Sequence, residues 1–160
     1  MPDALLALTI ATALGAGLAA GAFFAFSTFV MAALGRIPAQ EGIRAMQEIN
    51  VTVINPWFMT AVFGTGVASL AVIGVALADW DGDYGPYLVA AGVLYIIGCL
   101  GVTMAFNVPR NNVLARLEPE SAEVAEVWSS YLVEWTAWNS VRTVASLAAT
   151  AGLIGGIAAA

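Results

Sequence analysis

The chain has 160 residues, about the size of one domain. Hydrophobic residues make up 61% of it, charged ones 10%, and mean hydropathy is +0.87, against a soluble norm of roughly 45–50% apolar and about 25% charged; a water-soluble globule is excluded, and so is disorder. With a net charge of −6, no Lys, no His and one Cys, the chain also lacks the means for nucleic-acid binding, a disulfide scaffold, a His-ligated haem or metal, or a His general base.

The charges are confined. Residues 4–35, 49–78 and 84–109 are uncharged, and a fourth apolar stretch, 143–160, follows Arg142. A spanning helix needs roughly 20 apolar residues, so the chain is expected to be one integral membrane domain, 1–160. It is read as an all-α, antiparallel four-transmembrane-helix bundle with spans near 4–34, 55–78, 86–107 and 135–158. The first span has no basic residue ahead of it and is too long for a signal-peptide core, so it is expected to remain in the mature protein. Its Gly17, Gly21 and Ala25 spacing predicts close helix packing.

Arg36 and Arg44 follow the first span, Arg110 and Arg116 follow the third, and the second connection, 79–83, carries only the acids Asp79, Asp81 and Asp83. The positive-inside rule then places the first and third connections in the cytoplasm and both termini outside, with a bacterial plasma membrane as the expected location. The acidic connection reads as a solvated turn, since it lacks the glycine and distal Glu of a calcium loop. Pro38 and Pro119, each followed by acids (Glu41; Glu120 and Glu123), mark first helical turns. They predict cytoplasmic helical extensions of helices two and four, near 38–54 and 119–134, the latter running on into the fourth span. Asn55-Pro56 reads as a cap and first turn at which the second span starts or bends.

Polar residues inside these helices share one depth, in the cytoplasmic half. They are Ser27 and Thr28 on the first, Asn50 and Asn55 entering the second, Thr103 and Asn107 ending the third, and Glu134, Asn139 and Arg142 entering the fourth. The outer half offers little beyond Gly, Ala, Leu, Val and Ile, so a cavity is expected on the cytoplasmic side and close packing on the other. Trp128, Tyr131, Trp135, Trp138 or Asn139, and Arg142 recur at steps of three and four, forming one face bordered by Glu134. Singly, the Trp residues read as an interfacial belt. Arg142 with Asn139 does not, because an Arg near the membrane interior costs at least ~2.5–3.5 kcal/mol and should face the bundle and be paired. Cys99 reads as a small buried hydrophobe, and the scattered Met31, Met46, Met59 and Met104 do not make a thioether copper site.

An internal repeat at an offset of 80 residues aligns Ala25-Phe26-Ser27 with Ala105-Phe106-Asn107 and Leu34-Gly35-Arg36-Ile37 with Leu114-Ala115-Arg116-Leu117. If it is a duplication, Ser27 and Asn107 are equivalent positions facing one axis.

Five blocks in order, Gly21-Ala-Phe-Phe-Ala-Phe-Ser-Thr-Phe-Val-Met31, Met46-Gln-Glu-Ile-Asn50, Asn55-Pro-Trp-Phe58, Asn107-Val-Pro-Arg-Asn111 and Trp135-Thr-Ala-Trp-Asn139-Ser-Val-Arg142, resemble the four-helix membrane family known as DUF1772, or anthrone oxygenase-like. The resemblance spans nearly the whole chain and implies cofactor-free oxidation, with no metal, of an anthrone- or hydroquinone-like polycycle by dioxygen. Residues suited to that chemistry are present. Glu134 or Glu48 would be the base, and Arg142 with Asn139 would stabilise the anion. Phe26, Phe106, Trp135 and Trp138 would form the walls, with Ser27, Asn50, Asn55, Asn107, Asn111 and Tyr131 as further ligand-binding candidates. A non-catalytic module binding a quinone or lipid, or a structural membrane subunit, would use the same surfaces. Glu134 separates the first two classes: a shielded, pocket-facing carboxylate favours chemistry, and one turned to the cytoplasm favours binding. The expected partners are the lipid bilayer and a small apolar aromatic or quinone-like ligand, not nucleic acid, and a homo-oligomer stays open.

Single cysteines introduced at positions 40 and 118 are expected to label from the cytoplasmic face and one at position 82 from outside. The reverse pattern would overturn the topology.

Overall fold

The computed structural model describes residues 1–78, 80, 83–120 and 124–160. Four long helices dominate: α1 (Asp3–Leu34), α3 (Pro56–Ala78), α4 (Gly85–Ala115) and α5 (Val124–Ala158), each long and apolar enough to cross a membrane. A fifth, amphipathic helix, α2 (Ala39–Thr52), lies between the first two. The described residues contain no strand. α1 packs against α5 and α3, and α4 closes the ring against both, giving the expected antiparallel bundle.

Three apolar layers fill it. Leu5, Val72, Ala76, Tyr84, Leu88 and Leu153 close the end that holds both termini. Ala16, Ala19, Phe23, Val62, Tyr95, Cys99 and Ala149 occupy the middle. Met31, Ile43, Met46, Leu114, Trp128, Tyr131 and Trp135 fill the end that carries Arg36, Arg44, Arg110 and Arg116, called here the arginine end. Contrary to the expectation of an outer half without polar groups, Thr9, Thr12, Thr65 and Ser69 are buried there. Each hydroxyl donates to the carbonyl four residues earlier, at 2.6–2.8 Å, so these groups are satisfied locally and make no cavity.

Several boundaries differ from the sequence expectation. α2 is a separate helix rather than an extension of α3: the residue before a proline is driven out of the helical region, and Asn55 is extended at φ −126°, ψ 157°. Its side chain accepts from the Phe58 N–H at 3.0 Å, with Pro56 in the first turn, which is the expected cap. α4 continues eight residues beyond the expected end at 107. A wide π-helical turn, Thr103–Asn107, precedes Pro109 and lets the helix absorb a residue that has no N–H to give. Similar wide turns occur at Phe26–Val30, Thr60–Gly64 and Leu94–Gly101. Pro119 and Glu120 lie in a turn ahead of α5 rather than in its first described turn. Glu123 and the acids Asp79 and Asp81 fall outside the described residues.

The arginine end is closed by α2. A Cβ on Gly42 would lie 2.7 Å from the Trp128 ring, so only glycine lets α2 seat on that indole. Gln47 Nε2 donates to the Leu114 and Leu117 carbonyls at 2.9 and 3.1 Å, tying α2 to the end of α4, where the Leu114 carbonyl also accepts from the Leu117 N–H. Arg44 pairs with Glu120 across the connection.

Helix packing also uses different glycines from those expected. Gly17 does face Thr150 of α5, but Gly21 meets nothing. The close contacts are elsewhere, as at Gly98, where a Cβ would sit 2.4 Å from that of Ala145. We therefore expect G98L to destabilise the protein by about 1–3 kcal/mol in detergent unfolding. G74L, whose site is open, should change it by less than about 0.5 kcal/mol.

Candidate functional site

The predicted face of α5 points inward. Trp128, Tyr131, Trp135, Asn139 and Arg142 are all buried, as their helical spacing requires once one of them is turned to the bundle. They build two layers.

The layer nearer the arginine end is aromatic. Trp128 and Tyr131 stack with centroids 5.7 Å apart, and Tyr131 and Trp135 at 6.1 Å. Asn111, carried on α4 past Pro109, presents one oxygen to both: Oδ1 accepts from the Tyr131 hydroxyl at 2.8 Å and from the Trp135 indole N–H at 2.7 Å. Asn111 thus positions the rings and has no acceptor oxygen to spare. Asn50 lies beside Tyr131, with its Nδ2 buried and unpartnered. Phe26 packs on Trp135 at 5.8 Å, and Phe106 stacks flat on the half-buried Trp138 at 3.6 Å.

The deeper layer is polar. Asn139 Nδ2 donates to the Phe23 carbonyl and to Ser27 Oγ, both at 2.7 Å. Its Oδ1 accepts from Arg142 Nη2 at 2.6 Å, and Arg142 Nη1 donates to Thr103 Oγ1 at 3.2 Å. The guanidinium, in a residue only 6% exposed, lies 4.2 Å from the centre of the Phe23 ring and 5.3 Å from that of Trp135. Such cation–π contacts offset part of the cost of burial. Nε has no partner, and among the described residues no carboxylate lies within 4 Å of the group. The expectation that Arg142 faces the bundle holds, but its partners are an amide, a hydroxyl and two rings. Asn107, the position aligned with Ser27 in the repeat, donates to the Trp135 carbonyl at 3.1 Å, with its own Oδ1 buried and unpartnered.

Three expected site residues lie elsewhere. Glu134 is turned out of the bundle: Oε2 accepts from Arg110 Nε and Nη2 at 2.9 and 2.6 Å, and Oε1 from Ser130 at 3.2 Å, with the side chain 52% exposed. It neighbours Trp135 in sequence, and one helical step of 100° carries it off the buried face. Glu48 is exposed on α2, so neither carboxylate reaches the guanidinium. Asn55 spends its side chain on the α3 cap. Phe23 and Thr103 belong to the site but were not among the expected site residues. Each sits four residues before an expected one, Ser27 and Asn107, and so on the same side of its helix.

Two grooves flank this core. One, of about 350 Å³, is lined at the arginine end by Arg110, Val113, Val127, Ser130, Tyr131 and Glu134, among others. The second, of about 280 Å³, runs between α1 and α3 beside Phe58.

A four-helix bundle of membrane-spanning length, with a buried guanidinium set among aromatic rings and amides, is the class of protein defined by this fold and site. The chain belongs to the anthrone oxygenase family, whose pattern it matches over residues 55–152, more than half its length and including Asn107, Asn139 and Arg142. No curated protein and no solved structure matches it.

Because Asn139 holds Arg142, N139L should cost about 3 kcal/mol by stranding a buried charge. The double variant N139L/R142L should be more stable than N139L alone, since it removes the stranded group. Unfolding in a detergent titration gives the coupling directly.

Proposed function

We propose that this protein binds a flat, apolar, polycyclic molecule through an ionised oxygen placed on Arg142, and that the molecule is an anthrone- or hydroquinone-like compound oxidised there by dioxygen. The observation that carries the reading is the buried guanidinium with an unpartnered Nε and no carboxylate beside it. A cation so placed stabilises an anionic oxygen far more than it would in water. Family membership supports the choice of substrate and reaction.

The chemistry needs little more from the protein. The cation lowers the acidity constant exponent of a nearby enol or phenol, so the ring-carbon proton of an anthrone is lost to water and the oxygen is held as an enolate. The electron-rich carbon then adds dioxygen. With one proton taken back this gives a hydroperoxide, which loses water to leave the second carbonyl. Anthrone and dioxygen are thus converted to anthraquinone and water. Asn139 and Thr103 orient the guanidinium, while Phe23 and Trp135 lie against it. In the proposed orientation, with the arginine end in the cytoplasm, this occurs in the inner half of the membrane.

A second reading, binding of a quinone-like molecule without turnover, is favoured by the outward position of Glu134. Oxygen uptake by the purified protein in lipid nanodiscs, with an anthrone and a chelator present, separates the two. Under the first reading R142L falls to the spontaneous background while keeping its helical content, and E134Q and E48Q stay within about twofold of the parent, because neither carboxylate touches the site. Wild-type uptake equal to background would leave binding alone. Uptake by R142L equal to wild type would refute the role of Arg142 in oxidation.

A further inference from the structure

A ligand for Arg142 needs a path to it, and the helix break at Asn55 provides one. α1 runs on to Leu34, but α3 begins only at Pro56, beside the part of α1 that holds Phe23. Between the two helices lies the groove of about 280 Å³. Ala19, Ala22 and Ala61 line it with small side chains, leaving room for a flat ring. Leu18, 65% exposed, and Trp57, 88% exposed, stand on its outer side, in a surface of membrane-spanning helices. At the inner end Phe58 meets Phe23 edge to face, with centroids 6.4 Å apart at 80°, and the Phe23 ring in turn faces the guanidinium, 4.2 Å from its centre. One aromatic pair therefore separates an apolar, outward-facing groove from a buried cation lacking a counter-charge. The α3 wall at this point is the wide turn Thr60–Gly64, a winding frequent at functional sites.

We propose that the groove between α1 and α3 is a lateral portal through which a flat, apolar, weakly acidic molecule dissolved in the bilayer reaches Arg142, with the Phe58–Phe23 pair as its gate. The inference rests on the Arg142 reading above. The neutral form of such a molecule partitions into hydrocarbon and suits an apolar passage; its anion is stabilised only at the inner end, beside the cation. The groove at the arginine end has the wrong chemistry for this ligand: the Arg110–Glu134 ion pair lines it, and it adjoins Tyr131, whose hydroxyl already donates to Asn111.

The test is stopped-flow binding of 1,8-dihydroxyanthraquinone, followed by its own absorbance, to the full chain in nanodiscs. A61F and A22F narrow the portal and are expected to slow association and dissociation together by roughly tenfold, leaving Kd unchanged because neither alters the two end states. F58A opens the gate and should speed both. V113F, in the other groove, and G74F, at an open surface position, should match wild type and serve as controls for bulk. If A61F fails to fold, A22F and F58A still decide. Arg142-dependent binding with unchanged rates in the narrowed and opened variants, or slowing by V113F instead, overturns the portal and leaves the site intact. Absence of Arg142-dependent binding in the wild type overturns both.

Discussion

The guanidinium of Arg142 is a full charge buried in a membrane bundle without an opposite charge beside it, and the surrounding structure is arranged to make that tolerable. Taking a charge out of water costs several kcal/mol even after relaxation. Here it is offset by one amide, one hydroxyl and two ring faces, drawn from three helices: Asn139 and Trp135 on α5, Phe23 on α1 and Thr103 on α4. Asn139 is the hinge of this arrangement. By bonding Ser27 and the Phe23 carbonyl with its nitrogen and Arg142 with its oxygen, it ties α1 to α5 at the level of the charge. Well-packed apolar residues in place of buried ionic groups are often neutral or stabilising. Under the proposed function, a buried cation with a spare donor is accounted for by the anionic oxygen it would hold.

The wide helical turns serve the same end. Those on α1 and α4, Phe26–Val30 and Thr103–Asn107, include Ser27 and Asn107, both bonded to α5. An added residue per turn changes which side chains share a face, and in the turn on α1 Ser27 meets Asn139 and Phe26 meets Trp135. The winding on α3 follows the proline break that opens the α1–α3 groove. Backbone irregularity in a membrane helix is tolerated where it is buried in protein or lines a cavity, and here it gathers around one site.

Much of this was legible in the residues. The charge-free stretches gave the four spans, the Asn55-Pro56 pair gave the cap of α3, and the three-and-four spacing from Trp128 to Arg142 gave the buried face. What escaped depended on neighbours far away in the chain. Glu134 lies next to Trp135, and nothing local says whether it borders the site or leaves it; Arg110, on another helix, takes it outward. That partner was itself unreadable, because Asn107 looked like the end of a span and the wide turn before Pro109 has no sequence signature. Phe23 and Phe26 both lie close to Ser27 in the chain, and which of the two rings meets the guanidinium depends on residues of α5. Gly21 was read as a packing residue from a spacing that Gly98, opposite Ala145, satisfies without any motif.

The central claim is that Arg142 binds an ionised oxygen, and the acidity of a bound phenol tests its sign. A hydroxyanthraquinone changes colour on ionisation, so its absorbance can be titrated with pH while bound to the protein in nanodiscs. An apolar slot would raise the pKa of the bound phenol above its value in empty nanodiscs, whereas a guanidinium in contact with the oxygen lowers it by about 1–3 units. The account predicts the lowered value in the wild type and its loss in R142L. A raised value in the wild type, unchanged by R142L, would contradict it.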